Sequence, residues 1–401
     1  MEALLNEWLW QERYWLPPGM HWEDMEAKEG PGEGRYPLPR DLFYSLPVAF
    51  AFITFRHVFE RAIAVPLGKR LGVKDRIRIR AAPVPKLETF YEQNSRQPSQ
   101  SEVAFLGKQC GLSQTQVLTW FRHRRNQDRP TNTKKFCEAS WRFFFYLVAF
   151  TAGLGSLLDT PWLWDCTACW HGFPRQHVSD VHSWYYILEL GFYLSLLLCV
   201  SVDVKRKDFK EQVIHHIATI FLIGFSYCGN YVRVGTLVML VHDSSDFLLE
   251  SAKMFHYADW TRTCDSLFVV FALVFLVTRL VVFPFRLIHT TMITFVDFFH
   301  PFLGYYIFNI LLLVLQALHI FWAYLILRMV YKFAFKGKVE RDERSDEESE
   351  ADEDEQPEDD GGGGERRKGA IKPGPASLAN NCVLNNLTNQ RSLNSRLPKA
   401  R

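Results

Sequence analysis

Two adjacent histidines, His215 and His216, lie inside an apolar run, 213–227, and a second run, 232–249, carries His242, Asp243 and Asp246. Ionisable side chains are costly at membrane depth and are rare there unless they have a task. Imidazole is a nucleophile or a base near neutral pH, and a carboxylate can hold it in one tautomer. The clusters supply a nucleophile or base, a partner imidazole and two carboxylates, which suffices for acyl transfer inside a bilayer. On a helix, His242 and Asp246 share a face. Asp243 lies about 100° around from His242, and His215 and His216 are about 100° apart, so usually one of that pair faces the reaction centre. Three histidines without HxxxH or HxxHH spacing do not suit a diiron site, so no metal and no cofactor is expected.

The elements that must hold these groups are apolar and long. Hydrophobic residues make up 48% and aromatic residues 15% of the 401, which suits a polytopic membrane protein. The mean hydropathy of -0.09 averages greasy spans with a charged loop and an acidic tail. With about 20 apolar residues per crossing, about seven spans are expected, near 42–64, 141–160, 183–202, 211–228, 231–250, 265–285 and 303–330. Gly229-Asn230 makes spans four and five an antiparallel hairpin, or else a re-entrant pair. Segment 1–40 has no apolar core of a cleavable signal, so the first span is expected to target the chain. Its Trp8, Trp10, Trp15 and Trp22 suit a membrane–water surface.

Lys69 to Arg80, Arg122 to Lys135, and Lys205, Arg206, Lys207 and Lys210 fall on one side of seven crossings, together with Lys253. Positive loops stay cytosolic, so the N-terminus is expected in the lumen and the C-terminus in the cytosol. The loop 286–302 is then lumenal, and the sequon at Asn386 is cytosolic and unused. Cys166 and Cys169 form a lone CxxC, read as a lumenal disulfide or as two thiols. The division expected is 1–41 lumenal segment, 42–66 first span, 67–130 small cytosolic domain, 131–335 catalytic membrane domain and 336–401 disordered acidic tail. In the tail, Ser345 and Ser349 precede acidic residues; they are sites for an acidophilic kinase, or the tail only solvates.

Residues 86–128 read as three helices. Leu87, Phe90, Tyr91, Val103, Phe105, Leu106, Val117, Trp120 and Phe121 are available for a core, and Ser113 is the N-cap of the third helix. That helix, with Trp120-Phe121 and Arg122-His123-Arg124-Arg125, resembles the recognition helix of a homeodomain. His123 stands where the family carries an adenine-reading Asn, and His cannot make that bidentate contact. Sequence-specific DNA binding is therefore not expected. The unit holds phosphates, or is a spacer that positions Arg129, Lys134 and Lys135.

The run Lys205-Arg206-Lys207-Asp208-Phe209-Lys210, then His215-His216, then His242-Asp243-Ser244-Ser245-Asp246, closely resembles the Lag1 motif of ceramide synthases within the TRAM-LAG-CLN8 domain. The resemblance covers about 136–332, and the homeobox-like insert strengthens it. It implies an all-α polytopic membrane enzyme of the endoplasmic reticulum, with six of its helices in the family's bundle. The reaction implied is transfer of a fatty acyl group from acyl-CoA to the amine of a sphingoid base. The chemistry is stepwise through an acyl-imidazole, preferably on His215, or direct with a histidine as general base. His242, Asp243 and Asp246 would take the amine proton or stabilise an imidazolium. Lys205, Arg206, Lys207, Lys210, Arg129, Lys134 and Lys135 are candidates to hold the CoA phosphates, or express positive-inside topology only. The resemblance associates the segment between the last two spans, Ile293 to Leu303, with acyl-chain selection. There Phe295, Phe298, Phe299 and Phe302 close an acyl tunnel or form an aromatic belt, and long to very long chains are expected.

Arg233 starts span five, either snorkelling or paired with a carboxylate. Glu189, Arg279 and His319 lie in apolar spans and read first as packing partners. The expected partners are acyl-CoA, a sphingoid base and membrane lipid, with a homo- or heterodimer left open. The alternatives are a non-catalytic lipid sensor or carrier, and a membrane-tethered transcription regulator.

Overall fold

The computed structural model describes residues 7–8, 10–25, 36–75, 78–205 and 208–336. Arg206, Lys207, Ser345, Ser349, the sequon and the acidic tail from 337 lie outside them. Every regular element among the described residues is helical. Two compact units divide the chain: 1–72 with 136–344 form one, and 73–135 fall in the other.

The smaller unit has α3 (Pro85–Gln93), α4 (Gln100–Cys110) and α5 (Gln114–Asp128), which follow α1 (Ser45–Phe59) and α2 (Val65–Leu71) of the larger unit. Ser99 accepts from the Glu102 amide while Glu102 reaches back to the Ser99 amide at 2.7 Å, and Ser113 with Gln116 repeats this reciprocal cap. Gly111, at φ +66°, ends α4 in the left-handed region that glycine enters without a steric penalty. Leu87, Tyr91, Val103, Leu106, Val117, Trp120 and Phe121 form the core. Phe105 does not join it and is exposed, because it points about 100° away from Leu106 on α4.

The larger unit contains α6 (Asn132–Leu157) from residue 136 on, α7 (Asp180–Cys199), α8 (Phe209–Cys228), α9 (Val232–Tyr257), α10 (Thr261–Leu276), α11 (Phe295–Phe298) and α12 (Leu303–Lys336). Among the described residues, three helical runs are long and apolar enough to cross a membrane by length and composition: Pro39–Leu71, Thr261–Phe298 and Leu303–Phe335. The others carry the ionisable groups that lower their hydropathy. Large apolar side chains such as Phe50, Phe221, Phe285 and Tyr324 point outward. Lipid-facing helices behave this way, because hydrocarbon, unlike water, imposes no penalty on an exposed apolar side chain.

Two expectations need correction. The segment 286–302 is no simple loop: α10 runs on through π-helical turns, Val277–Ile288 and Thr290–Thr294, into α11. The wider turn accommodates Pro284, which cannot donate a backbone hydrogen bond. The aromatic N-terminal segment does not lie wholly on a surface. Trp8 is exposed, but Leu16 is buried and Trp15 stacks on Phe225 of α8 at 4.9 Å.

Buried charges tie α1, α6 and the α7–α8 turn together. Asp203 accepts from Arg56 Nη2 at 2.7 Å and from Arg142 Nη2 at 3.0 Å. Arg56 Nε reaches Glu60 at 2.7 Å, and Glu138 accepts from the Val204 amide at 3.2 Å. An arginine fork suits such bridges because it presents several fixed donors. This clamp holds the chain just before the basic run that leads into α8.

Candidate active site

Glu211 and the polar start of α8 lead into His215 and His216 about 9 Å along the helix, and α9 runs back past them as far as Tyr257. The rings of His215 and His216 are 5.9 Å apart and perpendicular, and His215 lies 6.5 Å from the His242 ring. Both histidines line one cavity of about 740 Å³, with Asp246, Arg279, Arg142 and Lys253 also in its wall. Helical spacing alone predicts one of the pair at the reaction centre. In the structure both line the same cavity. His215 Nδ1 is buried and has no hydrogen-bond partner among the described residues.

His242 is buried, with Nδ1 2.6 Å from the Val238 carbonyl and Nε2 3.0 Å from His319 Nε2. A carbonyl only accepts, so Nδ1 carries the hydrogen and Nε2 is the nitrogen left to exchange a proton with its neighbours. The expected tautomer holder was a carboxylate, but a backbone carbonyl one turn earlier takes that role. His319 comes from α12 and is fully buried. Arg279, from the π-helical run, donates Nη2 to the His242 carbonyl at 2.6 Å, the Ser245 hydroxyl at 3.1 Å and Asp246 at 2.9 Å. Its Nη1 lies 3.1 Å from His319 Nε2.

Asp243 and Asp246 have different hydrogen-bond partners. Asp246 belongs to the Arg279 network, whereas Asp243 accepts from the Tyr185 hydroxyl at 3.3 Å and lines a second cavity of about 440 Å³. That cavity is mostly apolar, with Leu222, Val238, Met239, Phe308 and Leu315 in its wall beside His242 and Glu189. Both carboxyl oxygens of Glu189 are buried, and its carboxyl group faces that of Asp243. Tyr193 lines both cavities, so the histidines and acids stand where a polar chamber meets an apolar one.

The sequence reading left Arg279, His319 and Glu189 as packing residues and did not single out Tyr185 or Tyr193. An ionisable residue in an apolar run was the signal for all three of the former, but nothing in the sequence showed that they meet His242. Arg233 neither snorkels nor pairs with a carboxylate: it donates to the Ala168 and His171 carbonyls at 2.9 and 3.2 Å and covers the Trp162 ring. Cys166 and Cys169 are free thiols, both pushed up by burial.

Lys205 and Lys210 are exposed at the entry to α8, and Lys205 lies over the Phe209 ring. In the smaller unit, Lys134 is exposed, and Arg129 and Lys135 are half-buried. None of Phe295, Phe298, Phe299 and Phe302 lines the apolar cavity. Phe295 and Phe302 are buried in the aromatic cluster behind it, and Phe298 is exposed. No group of three or more His, Cys, Asp and Glu side chains with metal-holding geometry occurs among the described residues.

Residues 135–328 match the TLC domain family, and 73–130 match the homeodomain family. The chain is 46% identical to human ceramide synthase 4, over 98% of this chain and 99% of that one. The chain belongs to the ceramide synthase family. Ceramide synthase 3 of Homo sapiens is 46% identical over 86% of this chain and 88% of its own, and ceramide synthase 4 of Bos taurus is 47% identical over 94% and 95%. In this ceramide synthase, both histidine clusters, Arg279 and His319 fall inside the TLC match, whereas Arg56 of the Asp203 clamp falls outside it. Within the homeodomain match, Arg124 and Arg125 of α5 are committed internally. Arg124 binds Glu88 at 2.7 Å and also Asp128, and Arg125 donates to the Arg96 carbonyl at 3.1 Å.

Proposed function

We propose that this ceramide synthase works through an acyl-histidine, transferring a fatty acyl group from acyl-CoA to the amine of a sphingoid base. The observation that carries this mechanism is the junction of the two cavities at His215, His216 and His242. The polar chamber adjoins the basic entry to α8 and suits the thioester and the CoA end. The apolar chamber suits the acyl chain.

In the first step a ring nitrogen of His215 attacks the thioester carbonyl. A carbon–nitrogen bond forms, the carbon–sulfur bond breaks, and the CoA thiolate leaves with the imidazole proton. In the second, the sphingoid amine attacks the acyl-imidazole, the amide bond forms and His215 is released as the leaving group. The amine proton passes through His242 Nε2, on the ring whose Nδ1 the Val238 carbonyl holds, back to the departing His215 ring, which leaves as neutral imidazole. Arg279 holds the His242 backbone and Asp246 in place. Lys205 and Lys210, with Arg206 and Lys207 outside the described residues, supply charge for the CoA phosphates. Arg129, Lys134 and Lys135 are further candidates for that role.

We place the enzyme in the endoplasmic reticulum membrane with its N-terminus lumenal and its C-terminus cytosolic, on the positive-loop distribution. The test uses membranes that lack ceramide synthesis, supplied with sphinganine and acyl-CoA. Ceramide is expected from the wild type and none from His215→Ala. Acyl-CoA alone is expected to add the acyl mass to the peptide containing His215. Ceramide formation with no such adduct, and with sequential rather than ping-pong kinetics, would leave the direct general-base route. No ceramide from folded protein would leave a lipid sensor or carrier.

A further inference from the structure

His319 and Phe308 lie on one stripe of α12, with Leu312 and Leu315 between them at spacings of four, three and four residues. His319 marks the reacting end of this stripe and Phe308 is about 16 Å further along it. Phe308, Leu315 and His242 line the apolar cavity, so the cavity runs along the stripe away from the histidines.

Phe308 is 1% exposed and held on two sides. Tyr231 stacks on it at 4.5 Å with an interplanar angle of 16°, and Phe225 stacks at 6.4 Å. Phe295 and Phe173 pack behind Tyr231 at 6.4 and 5.0 Å. A ring clamped in this way cannot rotate aside without opening the packed cluster around it, because interiors are close-packed. The four phenylalanines between the last two long helices do not reach the cavity.

We infer that Phe308, clamped by Tyr231, is the stop that limits acyl-chain length in this enzyme. The inference rests on the acyltransferase reading and on the acyl chain occupying the apolar chamber. A chain that grows by one methylene must displace the Phe308 ring or leave its own end unburied. Phe295 and Phe302 act only by supporting Tyr231 and Phe308.

The test expresses the full chain in membranes lacking ceramide synthesis, with sphinganine and an equimolar ladder of saturated acyl-CoAs. The readout is the profile of product chain lengths, normalised to total ceramide. Phe308→Ala and the gentler Phe308→Leu are expected to move the profile to longer chains. The ratio of longer to shorter product should rise about tenfold for each methylene newly admitted. Phe308→Trp is expected to shorten the profile, and Phe298→Ala, at an exposed position, to leave it unchanged. If Phe308→Ala does not fold, Phe308→Leu and Phe308→Trp decide. Ceramide with the wild-type profile from the folded Phe308 variants overturns the inference, as does an equal shift in Phe298→Ala. Absence of ceramide from the wild type counts against the acyltransferase reading instead.

Discussion

The Nε2 atoms of His242 and His319 face one another at 3.0 Å across 77 residues of chain. With His242 Nδ1 committed to the Val238 carbonyl, attraction between the two rings requires one proton between them. In the proposed mechanism His319 thereby sets the state of the nitrogen that relays the amine proton. His319→Ala should lower kcat about 100-fold, the scale of general acid–base catalysis, with little change in KM for acyl-CoA. It should also cost about 1–3 kcal/mol of stability by leaving buried donors unmatched. Acyl-transfer kinetics and thermal unfolding in detergent measure the two effects. An unchanged kcat would remove His319 from the site.

Arg279 spans more partners than a lysine can. Its fork reaches the His242 carbonyl, Ser245, Asp246 and His319 together. Arg279→Lys keeps the charge and loses the fork. Activity is therefore expected to drop severely although the charge balance is retained. Arg279→Met should be less stable than Arg279→Lys, because it leaves Asp246 without its cation, a loss of about 3–5 kcal/mol for a buried pair. Activity assays beside unfolding curves separate the two losses, and full activity in Arg279→Lys would show that charge alone suffices.

The Asp203 clamp predicts acid sensitivity. Burial pushes the Asp203 carboxyl up, but Arg142 and Arg56 outweigh it and hold the group below its ordinary value. A carboxyl held low in the folded state stabilises fully above its unfolded value of about 4, and that contribution is lost as pH falls through the lower folded value. Stability should thus decline below about pH 4, with Asp203→Asn removing this part of the decline. Glu138 shifts in the opposite direction, pushed up by burial and by the Asp203 charge, so the comparison with Asp203→Asn is needed to isolate the clamp. Unfolding temperatures across the acid range provide the measurement.

Gly235 sits where the Tyr186 hydroxyl crosses α9, and a methyl group there would collide with it. Tyr186 is fully buried and donates to the Val232 carbonyl at 3.3 Å, so it has little room to retreat. Gly235→Ala should destabilise the fold by about 1–3 kcal/mol through overpacking. Tyr186→Phe should relieve part of that loss when combined with it. A double variant no more stable than Gly235→Ala alone would show that the hydroxyl is not the obstacle.

The sequence by itself determined the chemistry available and the helices that carry it. His215, His216, His242, Asp243 and Asp246 stood out because ionisable groups in apolar runs are costly, and the cap of the small helical unit was readable at Ser113. It also made the family resemblance legible through the ordered run from Lys205 to Asp246. Tertiary structure alone decided which faces meet. Helical periodicity relates residues a few positions apart, whereas Arg279 and His319 come to His242 from 37 and 77 residues away. The same reason separated Asp243 from Asp246: packing turned one toward Tyr185 and the other toward Arg279. It also put Phe308, and none of the expected phenylalanines, in the wall of the apolar cavity, because side chains on packed helices, and not their order along the chain, define that wall.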